Sequence, residues 1–162
     1  MATQISLVEK ISTPTALVIG VAKDGAGALV LVTSLKGINT QNLLQTLNSF
    51  KASGKADEVT LVPDATHGIL VFTGMGKFEK KFSAETLRRA AGSAARSLHA
   101  HAHAAFALPA SNADDLQAIA EGALLGSYAF HDFRGSGSKD LKPPLTKIEI
   151  YTPKSPTKEF KD

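Results

Sequence analysis

Three histidines alternate along His99-Ala100-His101-Ala102-His103. On an extended backbone their imidazoles would share one face, the presentation that zinc and copper sites need. On a helix they would splay apart. The segment falls where a helix should end and a strand begin, so the competing reading is an exposed connection, with histidine favoured near a helix C-terminus. The chain has no cysteine, so no thiolate can join a metal site there and disulfides are excluded. His99, His101 and His103 are therefore read as a connection, and no metal ligand is assigned.

Gly74-Met75-Gly76-Lys77 sits between an expected strand and an expected helix. Backbone amides at such a place often cradle phosphate. The dinucleotide fingerprint lacks its third glycine, and the phosphate-loop pattern fails because Phe78 follows Lys77 and Val71 stands where its first glycine belongs. A tight strand-to-helix turn is the reading preferred for Gly74–Gly76. His131-Asp132 pairs a base with a carboxylate in sequence, but adjacent side chains do not easily face each other, and no nucleophile elbow accompanies them. Gly135-Ser136-Gly137-Ser138 reads as a flexible loop. The carboxylates are scattered, without spacing for paired acid and base work. On the residues alone, no catalytic, cofactor-binding or metal-ligating residue is assigned.

The elements that would position these residues alternate between the two periods. A first strand is expected over roughly Gln4 to Ile11. Ala16 to Ala22 is a nearly continuous apolar run, suited to a strand buried on both faces. Ala28 to Val32 reads as a further short strand. Asn39 or Thr40 caps a helix to about Lys51, with Leu43, Leu44, Leu47 and Phe50 as its apolar stripe. Glu58 to Pro63 and Gly68 to Thr73 read as buried strands joined by a hairpin-like turn at Asp64–Gly68. Ser83 caps a helix to about Leu98, with Glu85 in its first turn and Ala90, Ala91, Gly92, Ala94 and Ala95 small enough to lie close on a sheet. Ala104 to Pro109 is the next strand. Ser111 or Asn112 caps a helix to about Phe130. Asp132 to Pro144 is a loop, and Thr146 to Tyr151 closes the sheet. Strands interleaved with three helices imply an α/β fold: a mixed, largely parallel sheet sandwiched between helices.

The 162 residues suit one domain, expected over 1–152, with 153–162 a charged linker. Hydrophobic residues at 43% and charged residues at 20% are ordinary for a globular protein. No apolar run approaches a membrane span, and Met1-Ala2-Thr3-Gln4 does not resemble a secretory signal, so a cytoplasmic location is expected. The net charge is +3, with much of the excess at Lys139, Lys142, Lys147, Lys154, Lys158 and Lys161. A solvated linker accounts for that tail. Aromatic residues reach only 6% and there is no Trp, so stacking platforms for nucleic acid are not expected.

The most specific stretch is Glu121-Gly122-Ala123-Leu124-Leu125-Gly126-Ser127-Tyr128-Ala129-Phe130, followed by Asp132. It resembles the end of the last helix in the N-terminal domain of the leucyl (cytosol) aminopeptidase family. The upstream order is similar too: Gly74-Met75-Gly76-Lys77 after a strand, the Ala-rich helix Glu85 to Leu98, and a strand ending at Leu108-Pro109. Weaker similarity reaches Ala16–Val21. The resemblance implies a macro-domain-like fold. It implies a longer parent enzyme, a cytosolic metallopeptidase that removes N-terminal residues, leucine especially, from peptides. Two divalent cations, manganese or zinc, would activate water there. The implied ligands lie in a C-terminal catalytic domain, and the family's Asn-Thr-Asp-Ala-Glu-Gly-Arg sequence is absent here, so no catalytic residue is carried over. The implied role of this domain is assembly of a homohexamer and a place near the active-site entrance. The histidine-rich connection His99–His103 departs from the family pattern.

Two other readings compete. A stand-alone macro-like module would bind ADP-ribose or a nucleotide, and would need a glycine-rich cradle and a ribose-reading carboxylate at strand ends. A nucleic-acid-binding adaptor would need a basic stripe across the folded surface.

Overall fold

The computed structural model describes residues 4–8, 16–32, 40–64, 68–98, 101–110, 112–132 and 145–152, with side chains except at 40 and 128–132. The elements in chain order are β1 (Gln4–Val8), β2 (Ala16–Lys23), β3 (Leu29–Val32), α1 (Thr40–Ser49), β4 (Val59–Asp64), β5 (Gly68–Lys77), α2 (Ala84–Arg96), β6 (His103–Ala107), α3 (Ala113–Asp132) and β7 (Lys147–Tyr151). The expected linker at 153–162, His99, and Gly135–Ser138 lie outside the described residues.

One sheet runs in the order β1-β7-β6-β2-β5-β4, with β3 paired to β2. The pairs β1–β7, β6–β7, β2–β6 and β2–β5 are parallel, while β2–β3 and β4–β5 are antiparallel. The expected mixed, largely parallel sheet is therefore what forms. β2 lies at its centre because Ala16–Ala22 offers an apolar side chain, or no side chain at Gly20, on both faces, and all seven residues are buried.

Two cores follow from that strand's alternation. Ala16, Val18 and Ala22 pack with Leu87, Ala90 and Ala94 of α2 and Leu116, Ile119 and Ala123 of α3. Leu17, Ile19 and Val21 point the other way, onto Leu47 of α1. The sheet is thus covered by helices on both faces. Ser83 caps α2, its hydroxyl accepting from the Thr86 amide at 3.1 Å. Asn112 does the same for α3, its Oδ1 accepting from the Asp115 amide at 2.9 Å. Each such cap stabilises a helix by about 1 kcal/mol.

The small residues of α2 serve a second purpose beyond closeness to the sheet. Gly122 and Gly126 stand four apart on α3, on one face, and both meet α2. A Cβ on Gly122 would overlap the Arg88 carbonyl oxygen, and one on Gly126 the Gly92 carbonyl oxygen. Backbone thus lies against backbone where the two helices cross. Within the stretch that carries the family resemblance, Gly122 and Gly126 form a packing stripe.

Several expectations need correction. The sequence predicts a buried strand at Glu58–Pro63. β4 is instead an edge strand paired only to β5, and Leu61 on it is 42% exposed. Val59, Leu61 and Val62 make the segment read as buried, but an edge strand keeps only part of its surface covered. Thr146–Tyr151 does not close the sheet: β7 is inserted between β1 and β6, and β1 is the edge. The polar position in its alternation, Glu149, is consequently buried at 3% exposure. Phe50 does not complete the stripe of α1; the helix stops at Ser49 and Phe50 is 57% exposed. Gly74–Gly76 forms no strand-to-helix turn, because β5 continues through Lys77.

Candidate functional site

The amides that would cradle phosphate at Gly74–Gly76 are already engaged. Gly74 donates to the Glu58 carbonyl at 2.7 Å, and Gly76 donates to the Gly54 carbonyl at 2.8 Å. A side chain at position 74 would overlap the Lys55 carbonyl oxygen. Gly76 has φ +81°, beside an irregularity in the β2–β5 register between Val21 and Lys23. The two glycines therefore let the 53–58 loop lie directly on β5, and they present no anion site.

That loop is held by two carboxylates that sequence reasoning did not single out. Glu58 accepts from the Ser53 amide at 2.7 Å, the Ser53 hydroxyl at 2.7 Å and the Gly54 amide at 3.1 Å. Burial pushes its carboxyl up, but the hydrogen bonds from Ser53 and Gly54 outweigh this, and its pKa lies below the ordinary glutamate value. Asp57 pairs with the Arg89 guanidinium and accepts from the Ser93 hydroxyl at 3.1 Å. The Arg89 hydrogen bond is the main reason its pKa is lowered. The partners of Asp57 lie 32 and 36 residues away in sequence, which is why no local motif announces that contact.

Of the histidines, His101 is in the connection before β6 and His103 opens β6. His103 Nε2 lies 3.3 Å from Glu149 Oε1, within ion-pair reach but without hydrogen-bond geometry. Lys147 Nζ lies 3.6 Å from the same oxygen. An ammonium thus stands beside the carboxylate where a divalent cation would have to sit, so this cluster does not fit a metal. Among the described residues, no group of three or more His, Asp or Glu gathers as a metal site would. His131 and Asp132 end α3, and their side chains lie outside the described residues.

Among the described residues, concave surface opens at the ends of the parallel strands, where the crevice of an α/β sheet lies. One cavity of about 370 Å³ is lined by Glu79, Lys81, Ser83, Asn112, Asp114 and Asp115, between the starts of α2 and α3. A second, of about 240 Å³, is lined by Leu31, Val32, Phe78, Phe82 and Pro109, with Lys80 and Lys81. Glu79, Lys81 and Phe82 line both. Sequence reasoning missed this place because its residues come from four separate segments.

Comparison with known proteins assigns the family. Residues 18–137 match the model described as the cytosol aminopeptidase family, N-terminal domain. The probable cytosol aminopeptidase of Streptomyces griseus is 40% identical over 153 residues, covering 89% of this chain and 29% of that protein. Its counterpart in Streptomyces avermitilis is 38% identical over 164 residues, covering 90% and 32%. The chain therefore spans about a third of the length of these relatives. Among solved structures, a mutant of tomato leucine aminopeptidase superposes with TM-score 0.64 at 19% identity, covering 99% of this chain and 35% of that one. The bottromycin maturation enzyme BotP superposes with TM-score 0.59 at 19% identity, covering 87% and 28%, and another BotP structure is a complex with Mn. Among the described residues, no helix is long and apolar enough to cross a membrane. By its family match and its relatives, this chain belongs to the cytosol aminopeptidase family and is that family's N-terminal domain.

Proposed function

We propose that this domain is a non-catalytic partner of a cytoplasmic aminopeptidase. It docks on a C-terminal catalytic domain, helps assemble a homohexamer and borders the entrance to the active site. Residues 153–162 lead toward that catalytic domain. The chemistry, removal of N-terminal residues such as leucine from peptides, belongs to the catalytic domain, where two divalent cations, manganese or zinc, polarise the scissile carbonyl and activate water.

The observation that carries the reading is how this domain spends its ionisable groups. Glu58 holds loop amides, Asp57 holds Arg89, and Glu149 sits beside His103 and Lys147. Each is engaged in holding the fold, in a chain whose family match is to an N-terminal domain.

A chimera tests it. The N-terminal third of the Streptomyces griseus relative is replaced by this chain, and assembly and leucine p-nitroanilide cleavage are measured. The expected result is an oligomer of the relative's own size that retains cleavage. A folded chimera that stays monomeric, or that assembles without activity, would overturn the proposed role.

A further inference from the structure

Among the described residues, β4 pairs only with β5 and forms one edge of the sheet. The register decides which of its backbone groups face outward. Gly74 donates to the Glu58 carbonyl at 2.7 Å, and Val59 stands opposite Thr73, so Glu58 and Gly74 are opposite residues joined by a hydrogen bond. In an antiparallel ladder such pairs alternate with pairs that are not hydrogen-bonded. Thr60, Val62 and Asp64 therefore turn their backbone groups toward β5, while Val59, Leu61 and Pro63 turn theirs away from it. Pro63, which has no N–H, thus falls where it costs β5 no hydrogen bond. The outward side offers two donors, at Val59 and Leu61, and three carbonyl acceptors.

No side chain from Val59 to Pro63 is charged. Leu61 is 42% exposed, and Val59, on the same face, is half-buried. Natural sheets usually blunt such an edge with lysine, a bulge or a covering element. Here the charges stand at its two ends, Lys55 at one and Asp64 at the other. Asp57 and Glu58, beside Lys55, are engaged within the chain by Arg89 and by the Ser53 and Gly54 amides. Lys55 and Asp64 also lie toward the same face of the sheet. Asp64 alternates with Val62, which packs on the α1 side, and the Lys55 carbonyl lies over Gly74, two residues from Phe72 of that same core. An antiparallel copy of this edge would bring the acidic end of each strand to the basic end of the other.

We propose that β4 pairs antiparallel with β4 of a second copy of this chain about a twofold axis, Val59 opposite the partner's Leu61 and Thr60 opposite the partner's Thr60. Both outward donors of each copy then find carbonyls, and each Leu61 side chain is covered by the partner's Val59. Pro63 selects this register. Sliding to set Leu61 opposite the partner's Leu61 would place the Val59 carbonyl against the partner's Pro63, which has no proton to give. One strand edge buries less than a stable interface needs, so the dimer is weak, with Kd on the order of 0.1 mM. The pairing goes beyond the assembly role proposed above, because it rests on this edge alone and requires no catalytic domain.

The test combines sedimentation equilibrium of the 162-residue chain, from about 10 μM to about 1 mM, with amide hydrogen exchange over the same range. A monomer–dimer equilibrium is expected. The Val59 and Leu61 amides should exchange more slowly as concentration rises, while Thr60 and Val62 stay protected throughout. Leu61→Lys should weaken the dimer about tenfold or more. The chain has no cysteine, so a single introduced thiol reports the register. Thr60→Cys faces itself across the axis in a non-hydrogen-bonded pair, within disulfide reach, and should cross-link under mild oxidation. Leu125→Cys, at a side chain 63% exposed on α3, should not. A chain that stays monomeric to the highest concentration would overturn the proposal. So would a dimer in which Val59 and Leu61 gain no protection, or equal cross-linking by the two cysteine variants. Protection of both amides in the dilute monomer would mean that another segment of the same chain covers the edge, and would overturn it too.

Discussion

Glu58 shows how one side chain can decide whether a loop is part of the fold. Its two oxygens satisfy two backbone amides and a hydroxyl that would otherwise be left unpaired near the β5 glycines. Its folded pKa lies below the ordinary value of 4.5, so the charged form is the one the fold favours. The stability it adds is fully present above pH 4.5 and is lost as pH falls through the lower, folded value. Glu58→Gln should therefore lower stability by about 1–2 kcal/mol at pH 7, as expected for losing charge-assisted hydrogen bonds. The gap in Tm between the two proteins should close as pH falls below 4.5 and through the lower, folded value. Asp57 titrates in both proteins and cancels from the comparison. A gap that stays constant from pH 7 to pH 3 would mean the charge is not what holds the loop. None of this was legible beforehand. The sequence shows Gly74 and Gly76 as a possible anion cradle, and only the fold reveals that the 54–58 segment already occupies their amides.

At the scale of elements, local signals were read well and non-local ones were not. The cap at Ser83, the run Ala16–Ala22 and the alternation at Thr146–Tyr151 depend on neighbours in sequence, and each element formed where expected. What the alternation at β7 could not tell is its place in the sheet, which depends on β1 pairing outside it. Gly122 and Gly126 fall within the block Glu121–Phe130 that resembles the family, and their packing role emerges only from the crossing of α2 and α3. Gly122→Ala forces a Cβ against the Arg88 carbonyl, so a helix backbone must shift. Urea unfolding should register a loss of about 1–3 kcal/mol. Leu125→Ala, one residue from Gly126 but on a side chain 63% exposed, should stay within about 0.5 kcal/mol. Equal effects from the two substitutions would mean that close helix approach is not what Gly122 provides.

For the whole molecule, the α/β class and the family were both legible. The parallel sheet follows from strands interleaved with helices, and the family from the block at Glu121–Phe130. The strand-end cavities were not, because Leu31, Phe78, Pro109 and Asp114 come together only when β3, β5, β6 and α3 are assembled. The central claim is that this domain supports chemistry performed elsewhere. Its most direct test is hydrolysis of leucine p-nitroanilide by the purified 162-residue chain, with manganese or zinc added and with a metal-free control. The account predicts no cleavage above the control under either metal. Metal-dependent turnover by this chain alone would contradict it.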